Sequence, residues 1–238
     1  MRAEYDHVRR PVTRVAIAAV PILVYGTGML PEPNMTKPPV QKPDETGADS
    51  GALRAMTRDI VPALGVRSIV LVGMMGAGKS SVGRRLAVRL GIPLVDADSE
   101  IESAAGMTIA EIFAKHGEPY FRTGEARVIA RLLDQGPQVL ATGGGAVMDP
   151  HTRELIRSKG ISIWLKADVD VLIKRTKRRD ERPLADRIAE LLPLREPVYA
   201  LSDLVVESRD EPHEAIVDEI IRTLADHLGL TPSEEKER

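Results

Sequence analysis

The feature that most constrains this chain is an eight-residue run, Gly73-Met-Met-Gly-Ala-Gly-Lys-Ser80, set directly behind the apolar stretch Ser68-Ile-Val-Leu-Val72. It fits the pattern G-x-x-x-x-G-K-[ST] without exception. Glycines in such a run let backbone N–H groups curl around phosphate oxygens. A helix is expected next, because Val82, Leu86, Ala87 and Leu90 follow at helical spacing, and its positive end faces the same anion. Gly76, Ala77, Gly78, Lys79, Ser80 and Ser81 are therefore the expected ATP-binding residues. Lys79 is placed to reach the β- and γ-phosphates and Ser80 to ligate Mg²⁺. At about 7% glycine, a chance match in a chain of this length arises about once in a hundred, and the flanking strand and helix lower that further.

A continuous apolar strand implies a parallel sheet buried on both faces. Short strands are also expected at 93–95, 139–141, 161–165 and 204–206. Helices are expected at 80–90, 149–158, 169–177, 188–201 and 212–228. Residues 98–134 read as three helices punctuated by Gly106 and Gly117, with Thr108 as an N-cap. This alternation predicts an α/β fold around a five-stranded parallel sheet. Such sheets bind ligands beyond the carboxyl ends of their strands. Three clusters fall at such ends: the glycine loop, Asp96 with Asp98, and Thr142-Gly-Gly-Gly145.

Phosphoryl transfer depends mostly on positioning and charge neutralisation, so carboxylates and cations near the loop carry weight. If Asp96 ends a strand, alternation aims Asp98 the same way. The competing reading is a helix N-cap. The formal charge of −2 and 3% aromatic content argue against a nucleic-acid surface. The basic cluster at 174–179 is accordingly read as a solvated helix end. Cysteine is absent, which excludes thiolate metal sites and cysteine nucleophiles and fits a reducing cytoplasm.

Residues 15–30 carry no charge and follow Arg9, Arg10 and Arg14, imitating a signal peptide. The stretch is short of the ~20 residues of a membrane span, and Pro21, Gly26 and Gly28 break it. Eight of the 17 prolines precede Val66, so residues 31–51 read as a poorly ordered linker. Organised structure is expected from about Arg67. Residues 1–66 read as an extension, largely disordered or the product of a misplaced start upstream of Met35 or Met56. Residues 229–238 read as a charged tail.

Taken together, the residues resemble the shikimate kinase family. The resemblance rests on the glycine loop, Asp96-Ala-Asp98, Phe121-Arg122, Thr142-Gly-Gly-Gly145, Arg182-Pro-Leu184 and Arg195-Glu-Pro-Val-Tyr199. These occur in the family's order and cover roughly 67–228. The resemblance implies a three-layer P-loop kinase fold like that of nucleoside monophosphate kinases, with acceptor-binding helices in 98–134 and a mobile lid at 178–187. It implies transfer of phosphate from ATP to the 3-hydroxyl of shikimate by a cytoplasmic, monomeric enzyme using Mg²⁺. Arg122 and Arg195 match residues that hold the acceptor's carboxylate, a task suited to arginine forks. Gly144 and Gly145 match backbone donors beside it, and Asp98 matches the candidate base. Glu125 is placed to brace Arg122. Asp96 matches a position acting on Mg²⁺ through water, Arg182 the lid arginine over the phosphates, and Arg175 a residue packed on adenine. Lys79, Asp98 and Arg182 are thus the implied catalytic set. Ala185 stands where a second leucine is usual, and Gly124 weakens its helix by about 1 kcal/mol relative to alanine. The alternatives are another hydroxy-acid kinase, such as a gluconate kinase, and a nucleotide-dependent switch without transfer chemistry. No nucleic acid or membrane partner is expected.

Overall fold

A computed structural model of the chain describes residues 45–177 and 187–230. The strands are β1 (Ser68–Val72), β2 (Leu94–Asp96), β3 (Val139–Ala141), β4 (Gly160–Lys166) and β5 (Leu204–Glu207). All pair in parallel, in the order β2-β3-β1-β4-β5. Every residue of β1 and β3 is buried, as their unbroken apolar sequences require when both faces are covered. The helices are α1 (Glu45–Leu64), α2 (Lys79–Leu90), α3 (Ala97–Ala105), α4 (Ile109–Leu133), α5 (Pro150–Lys159), α6 (Val169–Lys177), α7 (Ile188–Tyr199) and α8 (His213–His227). A 3-10 turn, Ala146–Met148, follows β3.

The chain winds from β1 towards β2 on one side and, after β3, towards β4 and β5 on the other. The winding reverses at β1, and such a reversal opens a crevice beyond the carboxyl ends of the strands. Register levels the three clusters there: Leu71 and Asp96 both pair with Ala141. The Thr142 N–H and hydroxyl both donate to the Leu71 carbonyl oxygen, at 3.2 and 3.0 Å. The end of β3 is thereby tied to the start of the glycine loop.

Local signals explain the helix ends. Thr108 and Glu111 form a reciprocal capping box at the start of α4, and Gly106 ends α3 in the left-handed region. At Gly117 the backbone leaves helical geometry (φ 80°, ψ 173°), so α4 is two helical pieces joined at a break. The three helices expected in 98–134 correspond to α3 and these two pieces.

The N-terminal boundary is a correction. Organised structure starts well before Arg67, with α1. Ile60 and Leu64 are almost wholly buried, and α1 packs against α8 and α2. The Arg67 side chain closes α1 by donating to the carbonyl oxygens of Ala63 and Leu64, at 3.2 and 3.3 Å. Leu53, Met56, Ile60 and Leu64 recur at helical spacing, which is the signal that marks this helix. Among the described residues no helix is long and apolar enough to cross a membrane.

Candidate active site

The glycine loop leaves β1 and enters α2 as a tight curl. Gly73, Gly76 and Gly78 have φ of 132°, 84° and 94°, conformations open to glycine but strained for other residues. Space is short as well. A Cβ on Gly76 would stand 2.6 Å from Thr176 Oγ1 and 2.8 Å from the Leu172 carbonyl oxygen, because the curl rests on α6. Lys79 Nζ folds inward, donating to the carbonyl oxygens of Gly73 and Met74 at 2.8 and 3.0 Å. Ser80 Oγ donates to Asp96 Oδ2 at 2.9 Å. The other oxygen of Asp96 accepts the Asp98 N–H at 3.1 Å and caps α3. Asp96 is therefore a helix cap and the partner of the loop serine at once.

Asp98 lies in the first turn of α3, not in a strand. It is aimed by the helix and not by strand alternation, which corrects the geometric argument made from sequence. Its carboxylate nonetheless faces the expected place: a Cβ on Gly143 would be 2.8 Å from Asp98 Oδ1. A cleft of about 550 Å³ runs along this edge, lined by Gly76, Gly78, Lys79, Ser80, Ser81, Asp96, Asp98, Gly143 and Gly144, with Arg175 among the residues at its wall. Ala77 is wholly buried beneath the loop. Its carbonyl oxygen accepts from Ser208 Oγ at 2.8 Å, and Ser208 Oγ accepts from Arg175 Nη1 at 2.9 Å. His213 also lines the cleft. Partial burial, reinforced by the guanidinium groups of Arg85 and Arg175, lowers its pKa.

The residues expected on the acceptor side come from three other segments. Arg122 Nη1 donates to Glu125 Oε2 at 2.6 Å, one helical turn along α4, and Nη2 donates to Glu118 at 3.1 Å. The guanidinium lies flat against the glycine turn: a Cβ on Gly145 would fall 2.5 Å from Arg122 Nη2. Glu125 is 3% exposed, and its Oε1 is buried without a hydrogen-bond partner. That atom points towards Gly143 beside Asp98, since a Gly143 Cβ would be 3.0 Å from it. Burial raises the Glu125 pKa; Arg122 opposes this, Asp98 adds to it, and Arg195 opposes it. Burial also works against the charge on Arg122, but the carboxylates of Glu125 and Glu118 outweigh it and the Arg122 pKa is raised. Arg195 Nη1, on α7, approaches the Gly144 carbonyl oxygen at 3.4 Å.

The structure thus brings Lys79, Ser80, Asp96, Asp98, Gly144 and Arg175 onto one cleft, and sets Arg122, Gly145 and Arg195 against its glycine turn. Arg182 and the expected lid at 178–187 lie outside the described residues, apart from Arg187 at the head of α7. Phe121 is core: it is 5% exposed and packs with Ile101 and Ile112, its ring centroid 5.1 Å from the Arg122 guanidinium carbon. Sequence reasoning assigned no role to Ser208, Tyr199 or His213. For Tyr199 a signal exists, since it stands four residues after Arg195 and shares its helical face. Ser208 follows an edge strand with no pattern to mark it.

A hard-cation site is testable on these donors. Among the described residues, no group of three or more His, Cys, Asp or Glu is placed to hold a metal. The adjacent Ser80 hydroxyl and Asp96 carboxylate suit Mg²⁺, which takes few protein oxygens and completes its shell with water and phosphate.

The chain is similar to known proteins over most of this fold. The shikimate kinase family model matches residues 75–225. A shikimate kinase of Rhodopseudomonas palustris is 60% identical over 180 residues, covering 73% of this chain and 89% of the relative. One from Caulobacter vibrioides is 50% identical over 190 residues, covering 77% and 95%. Among solved structures, a shikimate kinase from Acinetobacter baumannii in complex with shikimate superposes with a TM-score of 0.65 at 37% identity, covering 68% of this chain and 94% of that one. A gluconokinase from Sinorhizobium meliloti, at 23% identity and a TM-score of 0.51 over 68% and 94%, shares the fold. With its motifs in order, its five-stranded parallel sheet and relatives of this similarity, the chain belongs to the shikimate kinase family.

Proposed function

We propose that this protein transfers the γ-phosphate of ATP to the 3-hydroxyl of shikimate. The observation that carries the reading is the convergence of Asp98, the Arg122–Glu125 pair and Arg195 on the glycine turn at 143–145, beside the phosphate loop. Two guanidinium groups on one side suit a carboxylate. Two carboxylates over Gly143, one with an orphaned buried oxygen, suit a ligand with several hydroxyls. A hydroxylated ring acid presents both.

The residues then divide the work. Backbone N–H groups at Gly76, Gly78, Lys79 and Ser80 cradle the phosphates, and Lys79 turns from the loop carbonyls towards the β- and γ-oxygens. Arg122 and Arg195 hold the acceptor's carboxylate, and the Gly144–Gly145 backbone steadies it. Asp98 orients the attacking hydroxyl and accepts its proton. Arg175 packs against the base, and Arg182 closes over the phosphates to exclude water. Ser80 and Asp96 hold Mg²⁺, Asp96 through water. When bound, that ion neutralises charge on the phosphate oxygens. We read the enzyme as a monomer. ATP as donor supports action in the cytoplasm.

The test is a coupled ADP-release assay on the purified chain. Shikimate-dependent turnover is expected; folded protein without it would sink the reading. Stronger thermal stabilisation by gluconate than by shikimate, each with ADP, would favour a gluconate kinase instead. Nucleotide binding without any transfer would favour a switch.

A further inference from the structure

Tyr199 is wholly buried at the end of α7, yet its hydroxyl is not idle. The phenol donates to the Gly144 carbonyl oxygen at 2.5 Å. Its ring packs at 5.9 Å, centroid to centroid, from Trp164 of β4, so both ends of the side chain are fixed. The Gly144 carbonyl belongs to the same peptide plane as the Gly145 N–H. No peptide among the described residues is cis, so that N–H points away from Tyr199. Gly145 is also the residue against which the Arg122 guanidinium lies.

We propose that Tyr199 is a positioning residue for the acceptor: its hydroxyl pins the Gly144 carbonyl so that the Gly145 N–H is presented beside Arg122 to the acceptor's carboxylate. The proposal rests on the reading of shikimate as acceptor.

Arg195 sharpens the case. It approaches the same carbonyl oxygen, but only at 3.4 Å. If Arg195 were that oxygen's main partner, moving onto a substrate carboxylate would strip a half-buried acceptor of its donor. With Tyr199 in place, Arg195 turns to the ligand and the peptide stays where it is. The two side chains stand one helical turn apart on α7, so one helix supplies a cation for the ligand and a fixed donor for the backbone beside it. Burial raises the Tyr199 pKa, and the nearby guanidinium groups of Arg195 and Arg122 only partly offset this, so the hydroxyl stays a donor across the neutral range.

The deciding variant is Tyr199→Phe in the full chain, which keeps the ring and removes the O–H. We expect KM for shikimate to rise about tenfold, KM for ATP to stay within twofold, and kcat to fall less than threefold. An unchanged shikimate KM in folded protein would overturn the proposal, and so would equal rises in both KM values. Tyr199→Leu separates packing from donation: it should lower the melting temperature further while raising the shikimate KM by a similar factor. If the shikimate KM instead tracks the melting temperature across both variants, the role is structural and the proposal fails. Absence of shikimate-dependent turnover in the unaltered protein would count against the acceptor assignment itself; normal turnover with an unaffected Tyr199→Phe would count against this inference alone.

Discussion

The two halves of the cleft are built by different means. The phosphate side is one contiguous segment whose shape lies in the backbone: three glycines at positive φ, packed so closely that a methyl on Gly76 meets α6. The acceptor side is assembled from α3, α4, the turn after β3 and α7, and its shape lies in side chains: a half-buried ion pair, two guanidinium groups and a phenol holding a carbonyl. A backbone cradle is indifferent to pH and sensitive to added volume. A charge-built pocket is tolerant of small changes in volume and sensitive to protonation and to the loss of any partner. On the proposed function, the first grips the part common to every ATP-dependent kinase, and the second chooses what receives the phosphate.

Four changes probe that contrast. The largest effect is expected from Asp98→Ala. If Asp98 serves the acceptor side alone, turnover falls about 10²–10⁴-fold while ADP affinity by calorimetry stays within twofold; an equal loss of ADP binding would erase the division. Next is Gly76→Ala. Forcing an alanine to φ 84° costs about 1–3 kcal/mol, and the contacts with Thr176 and Leu172 add to it. Thermal melts should shift down and nucleotide binding weaken severely, whereas shikimate binding by the surviving fold should change little.

Glu125→Gln is the third. It keeps the shape and removes one charge from a pair that is 29% exposed on the arginine side and 4% on the glutamate side. After allowing for solvent screening at Arg122, we expect about a tenfold rise in shikimate KM, or about 1.4 kcal/mol, with ATP KM unchanged. The pH dependence has a definite sign. Burial raises the folded pKa of Glu125 above its ordinary value of 4.5, so the folded protein holds that proton more tightly than the unfolded chain. The stability it contributes is complete below 4.5 and is lost as pH rises through the folded pKa. The melting temperature of the native protein relative to Glu125→Gln should therefore fall as pH rises through that window. A constant difference would mean that Glu125 does not titrate there. The smallest effect is expected from Ser208→Ala on the phosphate side. One hydrogen bond to the Ala77 carbonyl is worth about 1 kcal/mol, so ATP KM should rise roughly fivefold and shikimate KM stay put.

The same division explains what the sequence reveals. The phosphate side is legible because its chemistry is local: glycines, lysine and serine at fixed offsets, between a strand and a helix that each announce themselves. Most of the sheet is legible for the same reason, since β1 carries the unbroken run Ile69-Val-Leu-Val72 and β4 carries Ile161, Ile163, Trp164 and Leu165. The acceptor side is legible only through family resemblance. Nothing in residues 118–125 alone says that Arg122 will lie on a glycine 23 positions later, or that Glu125 will be buried beside Asp98. Strand alternation does not apply to Asp98: a helical turn is what brings it to the cleft. Ser208 and Tyr199 act by holding carbonyls, and no residue pattern encodes which carbonyl a hydroxyl will meet. The helix α1 was legible in its apolar spacing but masked by the proline-rich stretch before it.

That helix bears on how the protein can be handled. The match to the family spans 75–225, which invites a shortened version cut close to β1. Such a cut removes Leu53, Ile60 and Leu64 from the core and bares the faces of α8 and α2 against which they pack. Freshly exposed apolar surface of that kind seeks other copies of itself, so the trimmed protein should clump where the longer one stays dispersed. A version cut ahead of Glu45 keeps the cover in place.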